Sequence, residues 1–169
     1  MIIIKYIIIF LIFLISMLIG NLISKKYILR TEELKEFKGI LNIIKNKIEF
    51  TYEPLPEIFN EVACLSDNNI SKIFFNASAN MKNLNAQEAW NMSLDGSKTN
   101  LNKEDIQNIK TLGKTLGQTD KDGQISSIDV TNSFIEIQIS KAKKEEEKNS
   151  KMYKTLGIII GMAFVIILI

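Results

Sequence analysis

The residues able to do chemistry in this chain are few, and the stretch Gln118-Thr119-Asp120-Lys121-Asp122-Gly123-Gln124-Ile125, running on to Asp129, is the only one that looks like a cofactor loop. With Gly123 at position six of an EF-hand, Asp120, Asp122 and Asp129 fall at positions three, five and twelve and Ile125 at eight. Such a loop offers calcium a shell of oxygens, but position one here is Gln118, and position twelve lacks the longer Glu that ligates through both oxygens. Asp-x-Asp-Gly is also ordinary turn chemistry. A polar interhelical turn is therefore the expectation, and a calcium-binding loop its alternative. Cys64 lies among apolar residues and the chain has no His to activate it, so a small core residue is expected rather than a nucleophile. Glu49, Glu53, Glu57 and Glu61 follow one another at four-residue spacing. Pro54 and Pro56 intervene, and no apolar pocket is implied that would raise a carboxyl pKa for acid-base work.

Lack of His also excludes imidazole zinc sites and Ser-His-Asp or Cys-His systems. One Cys excludes an intrachain disulfide framework, and no GxxxxGK[ST] loop is present to cradle a nucleotide. No constellation for catalysis, cofactor or metal remains, and the chain is expected not to be an enzyme.

The elements that would hold any site are announced by the two ends. From Ile2 to Ile23 the residues are almost all Ile, Leu, Phe and Met. As a helix this run spans about 33 Å, enough for a hydrocarbon core of about 30 Å. Lys5 supplies a short positive region of the kind that precedes a cleaved signal peptide. The apolar run is too long for one, however, and no small-x-small site follows, so an uncleaved anchor over residues 1–24 is expected. Leu156 to Ile169 holds no polar side chain. Extended back to Met152, with Lys154 reaching toward headgroups, it covers about 27 Å, and a second transmembrane helix is expected over 152–169. A buried core helix, the alternative, would need a larger core than the polar middle offers.

Lys25, Lys26 and Arg30 follow the first run, and Lys141, Lys143, Lys144, Lys148, Lys151 and Lys154 precede the second. The positive-inside rule then makes this a multi-pass membrane protein whose middle, residues 25–151, is cytoplasmic, with lipid as its first partner. Lys5 aside, basic and acidic residues nearly balance, which argues against nucleic acid as a partner.

Within the middle, Leu34, Phe37, Leu41, Ile44 and Ile48 repeat at alternating three- and four-residue steps, one stripe of a helix, with Glu32, Glu33, Lys35, Glu36 and Lys38 on its other faces. Ile125, Ile128, Ile135, Ile139 and Ala142 do the same, with Asn132 as the polar seam position. Ile135, Ile137 and Ile139 also alternate as a strand would, but the helix-forming Lys141–Lys151 run that continues from them favours helix. The expected fold is all-α: two terminal transmembrane helices continue into a long antiparallel, coiled-coil-like stalk, capped by a small bundle of short helices. Those short helices are expected around Ile58, Phe59, Val62 and Leu65, ended by Asp67, Asn68 and Asn69; around Ile70, Ile73, Phe74 and Ala77; after a cap at Asn85; and from Asn102 to a stop at Gly117. Trp90 is expected as the core anchor of this bundle, and otherwise as a partner contact.

Taken in order, an amino-terminal anchor, Glu49-Phe-Thr-Tyr52-Glu-Pro54-Leu55, Trp90, Leu112-Gly113-Lys-Thr115-Leu116-Gly117 with Asp120 and Gln124, and Lys154-Thr155-Leu156-Gly157 opening the last apolar run make the chain resemble the stage III sporulation protein AB family. The Leu-Gly-x-x-Leu-Gly-x-x-Asp stretch is the most specific of these; Asp122-Gly123 and the Ile, Asn and Lys bias depart from the family's usual look. The resemblance implies a non-enzymatic platform component of the secretion-like channel complex that joins mother cell and forespore during sporulation, placed in the outer forespore membrane. It is similar to the inner-membrane platform protein of type II secretion and type IV pilus systems. It implies as partners a cytoplasmic ATPase, stage III sporulation protein AA, and other channel-complex proteins, with homo-oligomerisation left open. Glu49, Tyr52, Pro54, Trp90, Gly113, Gly117 and Asp120 are the expected structural or contact residues. Alternatives are a membrane-tethered calcium-responsive sensor and a passive stator-like tether.

Overall fold

The computed structural model describes residues 2–51 and 53–168. Among the described residues there are six α-helices: α1 (Ile2–Phe50), α2 (Leu55–Ala63), α3 (Asn69–Asn80), α4 (Ala86–Asp95), α5 (Lys103–Leu112) and α6 (Lys121–Leu168). No strand occurs among the described residues, so the fold is all-α. The chain divides into two compact units, one of residues 1–31 with 141–169 and one of residues 32–140.

In the first unit, α1 and α6 run antiparallel. Ser16 Oγ donates to the Gly157 carbonyl at 2.7 Å, Ser24 and Ser150 hydroxyls meet at 2.9 Å, and Arg30 pairs with Glu145 at 2.7 Å. The rings of Tyr27 and Tyr153 stack with centroids 5.8 Å apart. Gly20 and Gly157 face each other so closely that a Cβ on Gly20 would lie 2.6 Å from the Tyr153 carbonyl oxygen, and one on Gly157 would lie 2.9 Å from that of Ser16. Small residues permit this approach where helices associate in lipid. Both helices are long and apolar enough to cross a membrane. Only 17% and 11% of their most apolar windows is buried, which a core helix of a water-soluble bundle would not show.

In the second unit, the short helices start where polar caps satisfy their first N–H groups. Asn68 accepts from Ser71 N at 2.8 Å and Asn85 from Glu88 N at 2.9 Å. Asn102 Oδ1 accepts from Asp105 N at 2.8 Å and Asp105 Oδ2 accepts from Asn102 N at 2.9 Å, a full capping box for α5. α2 opens on Pro54, with Pro56 in its first turn, where a missing N–H costs nothing.

One aromatic ring from each of four helices forms the core: Phe37 of α1, Phe59 of α2, Phe74 of α3 and Trp90 of α4, all essentially solvent-free. Phe74 lies 5.3 Å from both Phe37 and Phe59, and Trp90 lies 5.4 to 6.0 Å from all three, in tilted or edge-on arrangements. Burying each such side chain stabilises the fold by about 1.5–3 kcal/mol, with further gain from ring geometry. Leu34, Leu41 and Ile44 extend the core along α1, and Ile128 and Ile135 along α6. The residues that also fit a strand are helical: Ile135 is buried, Ile137 is 55% exposed and Gln138 is buried instead, donating to Glu104 at 2.9 Å.

Several local expectations are corrected. α2 ends at Ala63, two residues before Leu65, which is exposed, and Asn68 and Asn69 start α3 rather than end α2. Cys64 is exposed, because it is the C-cap of α2 and its backbone, not its thiol, turns inward to bond Asn60 and Glu61 carbonyls. α5 stops at Gly113, four residues before Gly117. Glu33 is buried, not solvated: its carboxylate accepts from Asn100 N at 2.6 Å and Asn100 Nδ2 at 2.9 Å, tying the α4–α5 connection to α1.

Candidate functional site

The Leu112–Gln124 segment folds as a closed turn between α5 and α6, and each of its distinctive residues has a steric or hydrogen-bonding task. Gly113 leaves room for the Trp90 indole: a Cβ there would lie 2.6 Å from Trp90 Cδ1. The indole Nε1 donates to the Ile109 carbonyl at 3.0 Å, so Trp90 is anchored to α5 by its polar edge and to the aromatic cluster by its faces. Leu116 is fully buried beneath the turn, and Gly117 takes φ +68°, a conformation L side chains rarely adopt. Asp120 caps α6, accepting from Gly123 N at 3.0 Å through its carboxylate and from Gln124 N at 3.0 Å through its carbonyl. The Gln124 side chain spans the turn, donating to the Thr119 carbonyl at 3.1 Å and accepting from Gly117 N at 3.4 Å.

The Glu49–Pro54 segment lies against the same turn. Lys121 donates to the Glu49 backbone carbonyl, so Glu49 contributes its main chain while its side chain is exposed. Pro54 is exposed and its carbonyl receives Glu57 N at 2.9 Å. Tyr52 lies outside the described residues. Between the two segments opens a cleft of about 360 Å3 lined by Ile48, Glu53, Leu55, Gly117, Lys121 and Gln124. Lys47 bridges Glu53, at 3.0 Å, and Glu61. The hydrogen bonds to Glu61 and then to Glu53 hold its ammonium pKa above the usual lysine value.

The structure thus brings Trp90, Gly113, Gly117 and Asp120 together as one folded junction and sets Glu49 and Pro54 beside it. Trp90 proves a core residue, not a surface contact. At the loop considered for calcium, α6 begins at Lys121, so Asp122, position five of the EF-hand register, already stands on a helix where such a loop would still be curling around its ion. Asp129 is also engaged by Lys45 through both carboxylate oxygens, at 2.6 and 2.7 Å. The polar atoms of Asp120 and Gln124 at the junction close the turn and cap α6. The burial of Glu33 and Gln138 was missed because both are charged or polar residues in helix-rich runs that read as solvated faces.

Comparison with known proteins gives a consistent result. Residues 5–169 match the family model described as stage III sporulation protein AB. The chain is 25% identical over 153 residues to stage III sporulation protein AB of Bacillus subtilis (strain 168), covering 88% of this chain and 90% of that protein. It is also similar in fold to a solved structure of a stage III sporulation protein AB, with a TM-score of 0.63 and 22% identity, covering 70% of this chain and 96% of the other.

Proposed function

The chain belongs to the stage III sporulation protein AB family, a family of sporulation proteins, and from that premise we propose that it is a non-enzymatic membrane platform of the secretion-like channel between mother cell and forespore. In this reading α1 and α6 cross the outer forespore membrane at residues 1–24 and 152–169, and residues 25–151 face the cytoplasm. A cytoplasmic ATPase of the stage III sporulation protein AA type docks on the short helices or their connections. The observation that carries this reading is the extent of the family match, which runs through both apolar ends and the bundle together. The positive charge following the first run and preceding the second supports the orientation. Support for a mechanical rather than chemical role comes from the α5–α6 junction, whose most distinctive residues are used up in packing and capping.

The test is co-purification of the full-length chain from sporulating cells in mild detergent, with a deletion strain scored for spore formation. Recovery of the ATPase together with loss of sporulation on deletion is expected. Failure of the purified full-length chain to associate with the ATPase, together with normal sporulation after deletion, overturns the proposal. A passive tether differs in one outcome: it would still support sporulation with a flexible insertion between Lys26 and Thr31.

A further inference from the structure

In the unit of residues 1–31 and 141–169, a groove of about 320 Å3 lies where both apolar runs give way to charge. That volume is at the low end of the range for small-ligand clefts. Leu18 and Leu22, one helical turn apart and 60% and 64% exposed, form its apolar wall. Asn21, Lys25 and Lys154 form its polar end, and all three are exposed. The two lysines are remote in sequence, yet the flanking contacts bring them to one level: Ser24 meets Ser150 on one side and Gly20 meets Gly157 on the other. Among the described residues neither Lys25 nor Lys154 has an acidic partner within ion-pair distance. Two uncompensated ammonium groups above an outward leucine wall match the two halves of an anionic lipid, a phosphate and an acyl chain.

We infer that this groove binds the headgroup of an anionic phospholipid, with Lys25 and Lys154 flanking the phosphate, the Asn21 amide donating to it, and the first methylenes of one acyl chain lying along Leu18 and Leu22. Free phosphate shares the headgroup chemistry but has nothing to place on the leucine wall. The inference rests on reading residues 1–24 and 152–169 as membrane helices. It adds to that reading a specific lipid site, fixed by the pairing of α1 with α6, within the general basic collar.

Native mass spectrometry of the full-length chain in mild detergent tests it, with phosphatidylglycerol, phosphatidylcholine and inorganic phosphate offered separately. Phosphatidylglycerol is expected to bind more tightly than phosphatidylcholine, with no retained phosphate adduct. Lys25→Gln/Lys154→Gln should weaken phosphatidylglycerol binding roughly thirtyfold. The charge-matched Lys26→Gln/Lys151→Gln pair, outside the groove, should change it little, and Lys25→Arg/Lys154→Arg should preserve it. Equal loss in the two glutamine pairs, equal binding of the two lipids, phosphate binding as tight as lipid binding, or loss in the arginine pair would each overturn the inference. Release of the protein from vesicles by alkaline carbonate is a separate readout and would remove the membrane reading itself.

Discussion

Gly113 and Trp90 are in steric register: the space a Cβ would occupy on the glycine is filled by the indole edge, 2.6 Å from Cδ1. The indole is held in that position by its bond to the Ile109 carbonyl and by three neighbouring rings, so it has no free direction in which to yield. Gly113→Ala should therefore destabilise the second unit by about 1–3 kcal/mol, the usual cost of overpacking. Denaturant unfolding of the full-length chain in detergent checks this, and a cost near zero would show that α5 can shift away from α4.

Gly117 and Asp120 carry separable backbone costs. Ala at Gly117 must take φ +68° and should cost about 1–2 kcal/mol, while Asn, which tolerates this conformation, should cost less. Asp120→Ala removes the cap of α6 and should cost about 1 kcal/mol, with Asp120→Asn close to wild type. Unfolding midpoints of the four variants give the comparison; Asn no better than Ala at Gly117 would contradict it.

Close packing at Gly20 and Gly157 predicts that a large residue there separates α1 from α6. Gly157→Leu should abolish a disulfide introduced as Ser24→Cys/Ser150→Cys, whose wild-type hydroxyls are 2.9 Å apart, on a Cys64→Ser background. Unchanged cross-linking would mean that the approach is not needed to hold the pair.

Tyr27 should titrate late. Partial burial, and then its neighbour Tyr153, push its phenol above the ordinary tyrosine value of 10.0. A group whose pKa is raised by folding contributes stability that is complete below the unfolded value and is lost as pH rises through the folded one. The contribution of Tyr27 to the α1–α6 pair is therefore expected to be complete below pH about 10 and to be lost above it. Tyr27→Phe should remove that part of the alkaline loss, measured by thermal unfolding across alkaline pH; identical profiles would show that Tyr27 ionises freely.

Calcium is expected to leave the thermal midpoint unchanged, because Asp122 and Asp129 stand on α6 and Asp129 is engaged by Lys45. Asp129→Asn should cost no more than about 1 kcal/mol, as exposed ion pairs do. A calcium-dependent rise in the midpoint that Asp129→Asn abolishes would establish a metal role.

Much of this architecture was legible in the residues. The three- and four-residue spacing of Leu34, Phe37, Leu41 and Ile44 placed the core face of α1, and Asn102 marked the start of α5. What escaped were features set by tertiary partners. Glu33 reads as one more charge on a charged face until Asn100 is folded onto it. Cys64 reads as apolar until α2 stops one residue before it. The Leu-Gly-x-x-Leu-Gly motif was visible as a signature, but its reasons lie in the indole beside Gly113 and the positive φ of Gly117, neither of which is written locally.

The chain has a single tryptophan, and it sits at the crossing of rings from α1, α2 and α3 with the backbone of α5. Any rearrangement of the short helices must change the surroundings of that indole. The molecule therefore carries its own optical gauge: intrinsic emission, with no label attached, will register whether an arriving protein merely rests on the bundle or repacks it.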